Sequence, residues 1–247
     1  MLLLVLASCD FAEGSPVKDP DLEQTARDVV AMIGGYNCEL LPGYLAPEAE
    51  GLFRSQLDEA LMDGMTDPLE RVCFVLGVAH HYPSSSTMTV RLVRESGARV
   101  MLLLTDGNLE VELPMLRAGG GWKLDHDWAL KQVQDLAVHQ ALRGFAINQD
   151  SFYYAGRDRF TLSPEEITEA THIVPDPFGN GIATVHSPPM AVYGALGPGE
   201  RSVCGSSVSR SGELFMIRAA GDGTASYARG SSVPDSCPRE ALALESW

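Results

Sequence analysis

The apolar residues of this chain change their period three times, and that alternation constrains the fold more than any motif does. Up to about residue 64 they recur at helical spacing, and from about residue 70 they read as strands. Beyond Asp127 a second helical stretch begins, and it too gives way to short strands separated by glycine turns. Helices followed by strands, twice over, predict an α+β fold of two domains, residues 20–126 and 127–247. In each, helices pack on an antiparallel sheet. A chain of 247 residues has room for both.

In the first half, Asp19-Pro20-Asp21 reads as the cap of a helix that places Leu22, Ala26, Val29, Val30 and Ile33 on one face and stops at Gly34-Gly35. A second helix is expected from Pro47-Glu48 to Gly64, with Leu52, Phe53, Leu57 and Leu61 inward. Strands are expected at 72–80, 87–93, 99–104, 108–113 and 121–124, joined by turns such as Ser96-Gly97 and Asp106-Gly107. In the second half a long helix is expected over 127–154, with Leu130, Val133, Ala137, Ala141, Phe145 and Ile147 broadly on one side. Ser163-Pro164-Glu165-Glu166 carries the cap, first-position proline and acidic first turn of a short helix. Strands follow at 181–186, 190–196, 201–208, 213–219 and 224–228.

Two stretches resemble known families. Gly43-Tyr44-Leu45-Ala46-Pro47-Glu48-Ala49 and Gly120-Gly121-Trp122-Lys123-Leu124-Asp125 are similar to a helix-opening loop and a closing strand of the NTF2-like (cystatin-like) superfamily. That resemblance implies a conical pocket, which Tyr36, Tyr44 and His80 would line. In the second half, Tyr153, Gly156, Phe160 and Thr161, with Cys204 and Cys237 as a late disulfide, resemble the headgroup of type IV pilin-like proteins. The hydrophobic N-terminal helix by which pilins polymerise has no counterpart here, so the resemblance does not extend to filament assembly.

The opening segment, Met1-Leu2-Leu3-Leu4-Val5-Leu6-Ala7-Ser8-Cys9, is an apolar run ending in small residues, the pattern of an export signal. Leu6-Ala7-Ser8-Cys9 resembles a bacterial lipobox, which implies lipidation of Cys9 and a lipid bilayer as partner through N-terminal acyl chains. The run is short and has no preceding Lys or Arg, as a start codon assigned downstream of the true one would produce. Residues 10–19, rich in Gly, Pro and acids, read as a tether. With Cys9 set aside, Cys38, Cys73, Cys204 and Cys237 fall two to each half. In an oxidising compartment they are expected to pair as Cys38–Cys73 and Cys204–Cys237; four buried thiols are the alternative. The implied address is the periplasmic side of a bacterial envelope membrane.

Charge excludes more than it assigns. Eighteen bases against 33 acids give a net charge of −15, of which −11 lies in residues 1–128 (20 acids, 9 bases), so nucleic acid is not an expected partner. No metal site is expected. His80-His81, read as a strand end, would point to opposite faces, and Asp125-His126-Asp127, with His139 further on, reads as a helix entry. No catalytic residue is assigned: Ser206 lacks a nucleophile-elbow motif and Glu165-Glu166 complements a helix dipole. No cofactor is expected, since nucleotide-binding glycine motifs are absent and Gly119-Gly120-Gly121 reads as a hairpin turn. Phe152, Tyr153, Tyr154 and Phe160 read as a packed helix end. The expected role is non-catalytic, binding or scaffolding in the envelope, with envelope or pilin-like proteins as candidate partners. The alternatives are an isomerase- or cyclase-type enzyme in an NTF2-like cone, and a pilus- or secretion-associated accessory protein.

Overall fold

A computed structural model describes residues 14–57, 59–62, 64–84, 86–171 and 192–238. The expected signal segment with Cys9 and the expected strand at 181–186 lie outside these. The fold is α+β, built on two antiparallel sheets. The described residues gather into two compact units, one of residues up to 57 with 64–130, the other of 59–62 with 131–238.

In the first unit, α1 (Pro20–Gly34) begins where Asp19 Oδ1 accepts the backbone N–H groups of Asp21 (3.0 Å) and Leu22 (3.4 Å). Its expected inner face is fully realised: Leu22, Ala26, Val29, Val30 and Ile33 are all buried. A 3-10 turn, Cys38–Tyr44, follows, then α2 (Ala49–Gln56), α3 (Glu59–Met62), which groups with the second unit, and α4 (Pro68–Ala79). The single helix expected to Gly64 is thus interrupted, with Leu57 in extended backbone.

The larger correction is α4. Residues 72–80 were expected as a strand, but they continue a helix that Asp67 caps through Leu69 N–H (3.0 Å), with Pro68 at its start and Glu70 in its first turn. The run Val72-Cys73-Phe74-Val75-Leu76 is apolar on every side, and such a run carries no period that separates helix from buried strand. The cap-proline-acid signature at 67–70 decides it. His80 is consequently a helix C-cap and not a strand end.

The sheet of this unit runs β1-β2-β3-β4-β5, all antiparallel neighbours. β1 (Ser15–Pro16) comes from the expected tether and pairs with β2 (Thr89–Ser96). β3 (Arg99–Thr105), β4 (Glu110–Ala118) and β5 (Gly121–Leu124) complete the meander, with Leu102 opposite Leu113 and Met115 opposite Leu124. Those four side chains have no exposed surface, and the alternation in β3 buries Val100, Leu102 and Leu104 on one face. Trp122 Nε1 donates to Asp19 Oδ2 (2.8 Å) and Lys123 Nζ to Gly43 O (2.6 Å), so the last strand ties down the start of α1 and the 3-10 turn.

In the second unit, α5 (His126–Phe152) contributes Val138, Ala141, Leu142, Phe145 and Ala146 to a core shared with α6 (Pro164–Thr171) and the second sheet. Ile147, expected inward, is 61% exposed, because at about 100° per residue it falls on the opposite side of α5 from the Val138-Leu142-Phe145 stripe. That sheet is a four-stranded meander: β6 (Tyr193–Leu196), β7 (Ser202–Val208), β8 (Leu214–Ala220) and β9 (Ala225–Gly230). The expected cap of α6 forms, with Ser163 Oγ accepting Glu166 N–H at 3.2 Å. Gly205 of β7 lies against the Phe145 ring, where a Cβ would fall 2.6 Å from a ring carbon. The helix end packs in part as expected: Phe152 and Phe160 are buried and Tyr153 lies 5.0 Å from Phe160, whereas Tyr154 is exposed.

Both disulfides are present as Cys38–Cys73 and Cys204–Cys237. The first joins the 3-10 turn to α4, and the second joins β7 to the segment beyond β9.

Candidate ligand-binding cleft

The first unit contains a cleft of about 550 Å³ beside the Cys38–Cys73 bridge, within the size range of small-ligand sites. One wall is the turn after α1, contributing Tyr36, Cys38, Glu39 and Pro42. The other is the start of α4 and the residues before it, contributing Met65, Asp67, Leu69, Glu70 and Phe74. The bridge holds the two walls together, since it joins one residue of the turn to one of α4.

Tyr36 occupies an unusual backbone position. α1 ends in a Schellman-type arrangement, with Tyr36 N–H donating to Ile33 O (3.1 Å) and Asn37 N–H to Met32 O (3.0 Å). The residue between must adopt the left-handed conformation, and that residue is Tyr36, at φ +54°, although Gly35 stands one place earlier at φ −90°. Left-handed backbone costs a residue with a side chain about 1–2 kcal/mol relative to the right-handed helix. Tyr36 as a residue is 51% exposed, and its ring rests on α4 at Gly77, where a Cβ would come within 2.7 Å of its Cε1. Phe74, one turn back, lies with its ring centre 6.4 Å away. A strained backbone, a glycine seat and a disulfide therefore converge on one half-exposed aromatic ring at the cleft.

Of the three residues expected to share a pocket, only Tyr36 lines this cleft. Tyr44 stands at the end of the 3-10 turn, where burial, with a smaller contribution from the Asp28 carboxylate, raises its phenol above the usual range. His80 stacks on Trp128 with ring centres 5.5 Å apart and meets Tyr82 edge-on at 5.8 Å. Burial also raises the Tyr82 hydroxyl, which is therefore protonated at any physiological pH. Sequence reasoning did not find Glu39, Asp67, Glu70 and Phe74 as neighbours. The signal was the Asp67-Pro68 cap, which sets the rotation of α4.

Asp125-His126-Asp127 performs the helix entry expected of it. Asp125 Oδ1 accepts Asp127 N–H (3.0 Å) and Trp128 N–H (3.4 Å), and its other oxygen meets Arg99 Nε at 3.1 Å. Arg99 also bonds Asp127. His139 sits on a different part of α5, edge-on to Phe215 at 4.4 Å. Among the described residues no three His, Cys, Asp or Glu side chains are grouped as a metal site would require. Comparisons with protein-family models, with curated proteins and with solved structures found no match.

Chemically, the cleft offers aromatic and aliphatic walls with a rim of carboxylates, and none of its lining residues is basic. Such a surface can hold a ligand by contact and charge.

Proposed function

We propose that this protein is a non-catalytic binding module of the bacterial cell envelope, exported, lipid-anchored through Cys9, and using the cleft beside Cys38–Cys73 as its ligand contact. The observation that carries this reading is the placement of the two disulfides. Each closes within one compact unit, and the first lies beside the cleft, which Cys38 lines. Bridges of this kind persist in oxidising compartments, which supports export. The lipobox-like Leu6-Ala7-Ser8-Cys9 supports an anchor, and two acyl chains hold stably where one does not.

Intact mass of the whole chain, expressed in a Gram-negative host and fractionated, tests the proposal. The expected result is a membrane-associated species cleaved before Cys9 and carrying acyl mass, with four cysteines resistant to alkylation until reduced. A soluble cytoplasmic chain with unmodified Cys9 and four freely alkylated thiols would overturn it.

A further inference from the structure

We infer that the cleft beside Cys38–Cys73 is a site for an organic cation with an apolar body, an ammonium or guanidinium carried on a short carbon chain. The inference rests on the binding-module reading and names the ligand class of that same cleft. Three independent features meet there. First, the walls supply the half-exposed Tyr36 ring, held by its strained backbone and its seat on Gly77, with Phe74 beside it. Aromatic faces attract cations through their quadrupole and accept the attached methylenes by contact. The helix-end turn and the contact with Gly77 fix where that ring stands, so its face is already in place at the cleft.

Second, the rim supplies Glu39, Asp67 and Glu70, and no base lines the cleft. The only basic residue of α4, Arg71, is buried. The start of α4 presents a partial positive charge of about half a unit, which alone would favour an anion. Asp67 already accepts Leu69 N–H there, and the remaining carboxylates outweigh what is left. Third, the row Glu70, Phe74, Val78 runs along one face of α4 at a spacing of four residues, and Val78 is 46% exposed. A cation at Glu70 would therefore have its carbon body laid over Phe74 towards Val78. The net charge of −11 on residues 1–128 adds long-range attraction of the same sign.

The ammonium can belong to a free amine or to a Lys side chain of a polypeptide, and the test separates the two. The full chain is titrated with n-hexyltrimethylammonium and with acetyl-Leu-Lys-Leu-amide. The counter-probes are n-hexanol, n-hexanoate and acetyl-Leu-Gln-Leu-amide, and binding is followed calorimetrically at low and high salt. Cationic probes should bind saturably and about tenfold more tightly than their neutral counterparts, an advantage that shrinks with salt. A free-amine source predicts that the ammonium binds at least as tightly as the peptide; a polypeptide source predicts the reverse. Tyr36→Asn removes the ring while keeping a residue that tolerates left-handed backbone. It should weaken cation binding several-fold, as should Glu39→Gln with Glu70→Gln, with thermal melting unchanged.

Equal binding of neutral or anionic probes would overturn the cation assignment while leaving a binding module standing. So would cation affinity untouched by both variants, or no saturable binding of either cationic probe. Failure of the envelope reading shows itself separately, in the mass and alkylation pattern of the chain.

Discussion

His139 provides the sharpest test of how the second unit is put together. It lies one turn after Asp135 on α5, edge-on to Phe215 of β8, with Arg143 a further turn along and Arg229 of β9 facing it. Burial first, then the two guanidinium charges, lower its pKa from 6.5 to about 4. The sign follows from proton counting. Below pH 6.5 the unfolded chain takes up a proton that the folded chain refuses until about pH 4. Stability is therefore complete above pH 6.5 and falls as the pH drops towards 4. At pH 5 the unfolded imidazole is almost fully charged and the folded one almost neutral. That corresponds to about 2 kcal/mol, and to roughly 1–2 kcal/mol once the ring's partial solvent access is allowed for. Asp135 opposes this trend, because its burial raises its carboxyl pKa and so favours the folded state as pH falls. The comparison is therefore between the parent and His139→Leu, which keeps Asp135. Urea unfolding at pH 7.5 and pH 5 should show the parent losing about 1–2 kcal/mol more than the variant. The Cε1 proton resonance of His139, followed by NMR, should titrate near pH 4. A midpoint at or above pH 6, or identical pH slopes for parent and variant, would refute the burial argument.

Three further outcomes follow from local geometry. Cys204→Ser with Cys237→Ser opens a loop of 33 residues and should cost roughly 4 kcal/mol in the loop-entropy picture, read as an earlier urea midpoint for the second unit. Gly205→Ala would drive a methyl into Phe145 in the middle of β7, where the ring is fully buried; the expected loss is about 1–3 kcal/mol by the same assay. Asp67→Ala removes the acceptor for Leu69 N–H and should destabilise the first unit by about 1 kcal/mol, with faster amide exchange confined to the first turn of α4.

Where the residues themselves announce a helix end, sequence and structure coincide. Asp19-Pro20 and Ser163-Pro164 cap the helices expected of them, and Asp125 does the same at the start of α5. The α1 face was legible because its apolar residues alternate with charged ones, so the period is visible. The strands at 99–104 and 121–124 were legible within a residue, through alternation and bracketing glycines. Ser15–Pro16 was not legible as a strand, since two residues of low strand propensity are held in place by pairing with Arg91 and Leu92 and not by their own preference.

The cleft was hidden for one reason, the reading of residues 72–80 as a strand. In a strand, Phe74 and Val78 would fall on one face with Val72 and Leu76, and Glu70 would belong to a different element. In the helix, Val72, Val75 and Leu76 turn inward with no exposed surface, while Glu70, Phe74 and Val78 form an outward row. The same rotation brings Gly77 under the Tyr36 ring and Cys73 to Cys38. An all-apolar stretch conceals its rotation because every face satisfies the core, so the polar residues at its start have to supply the phase. Asp67-Pro68-Leu69-Glu70 does so: fixing the cap at Asp67 fixes Glu70, Phe74 and Val78 one turn apart. A cleft whose walls are a helix terminus and a disulfide-held turn can then be read forward from its cap.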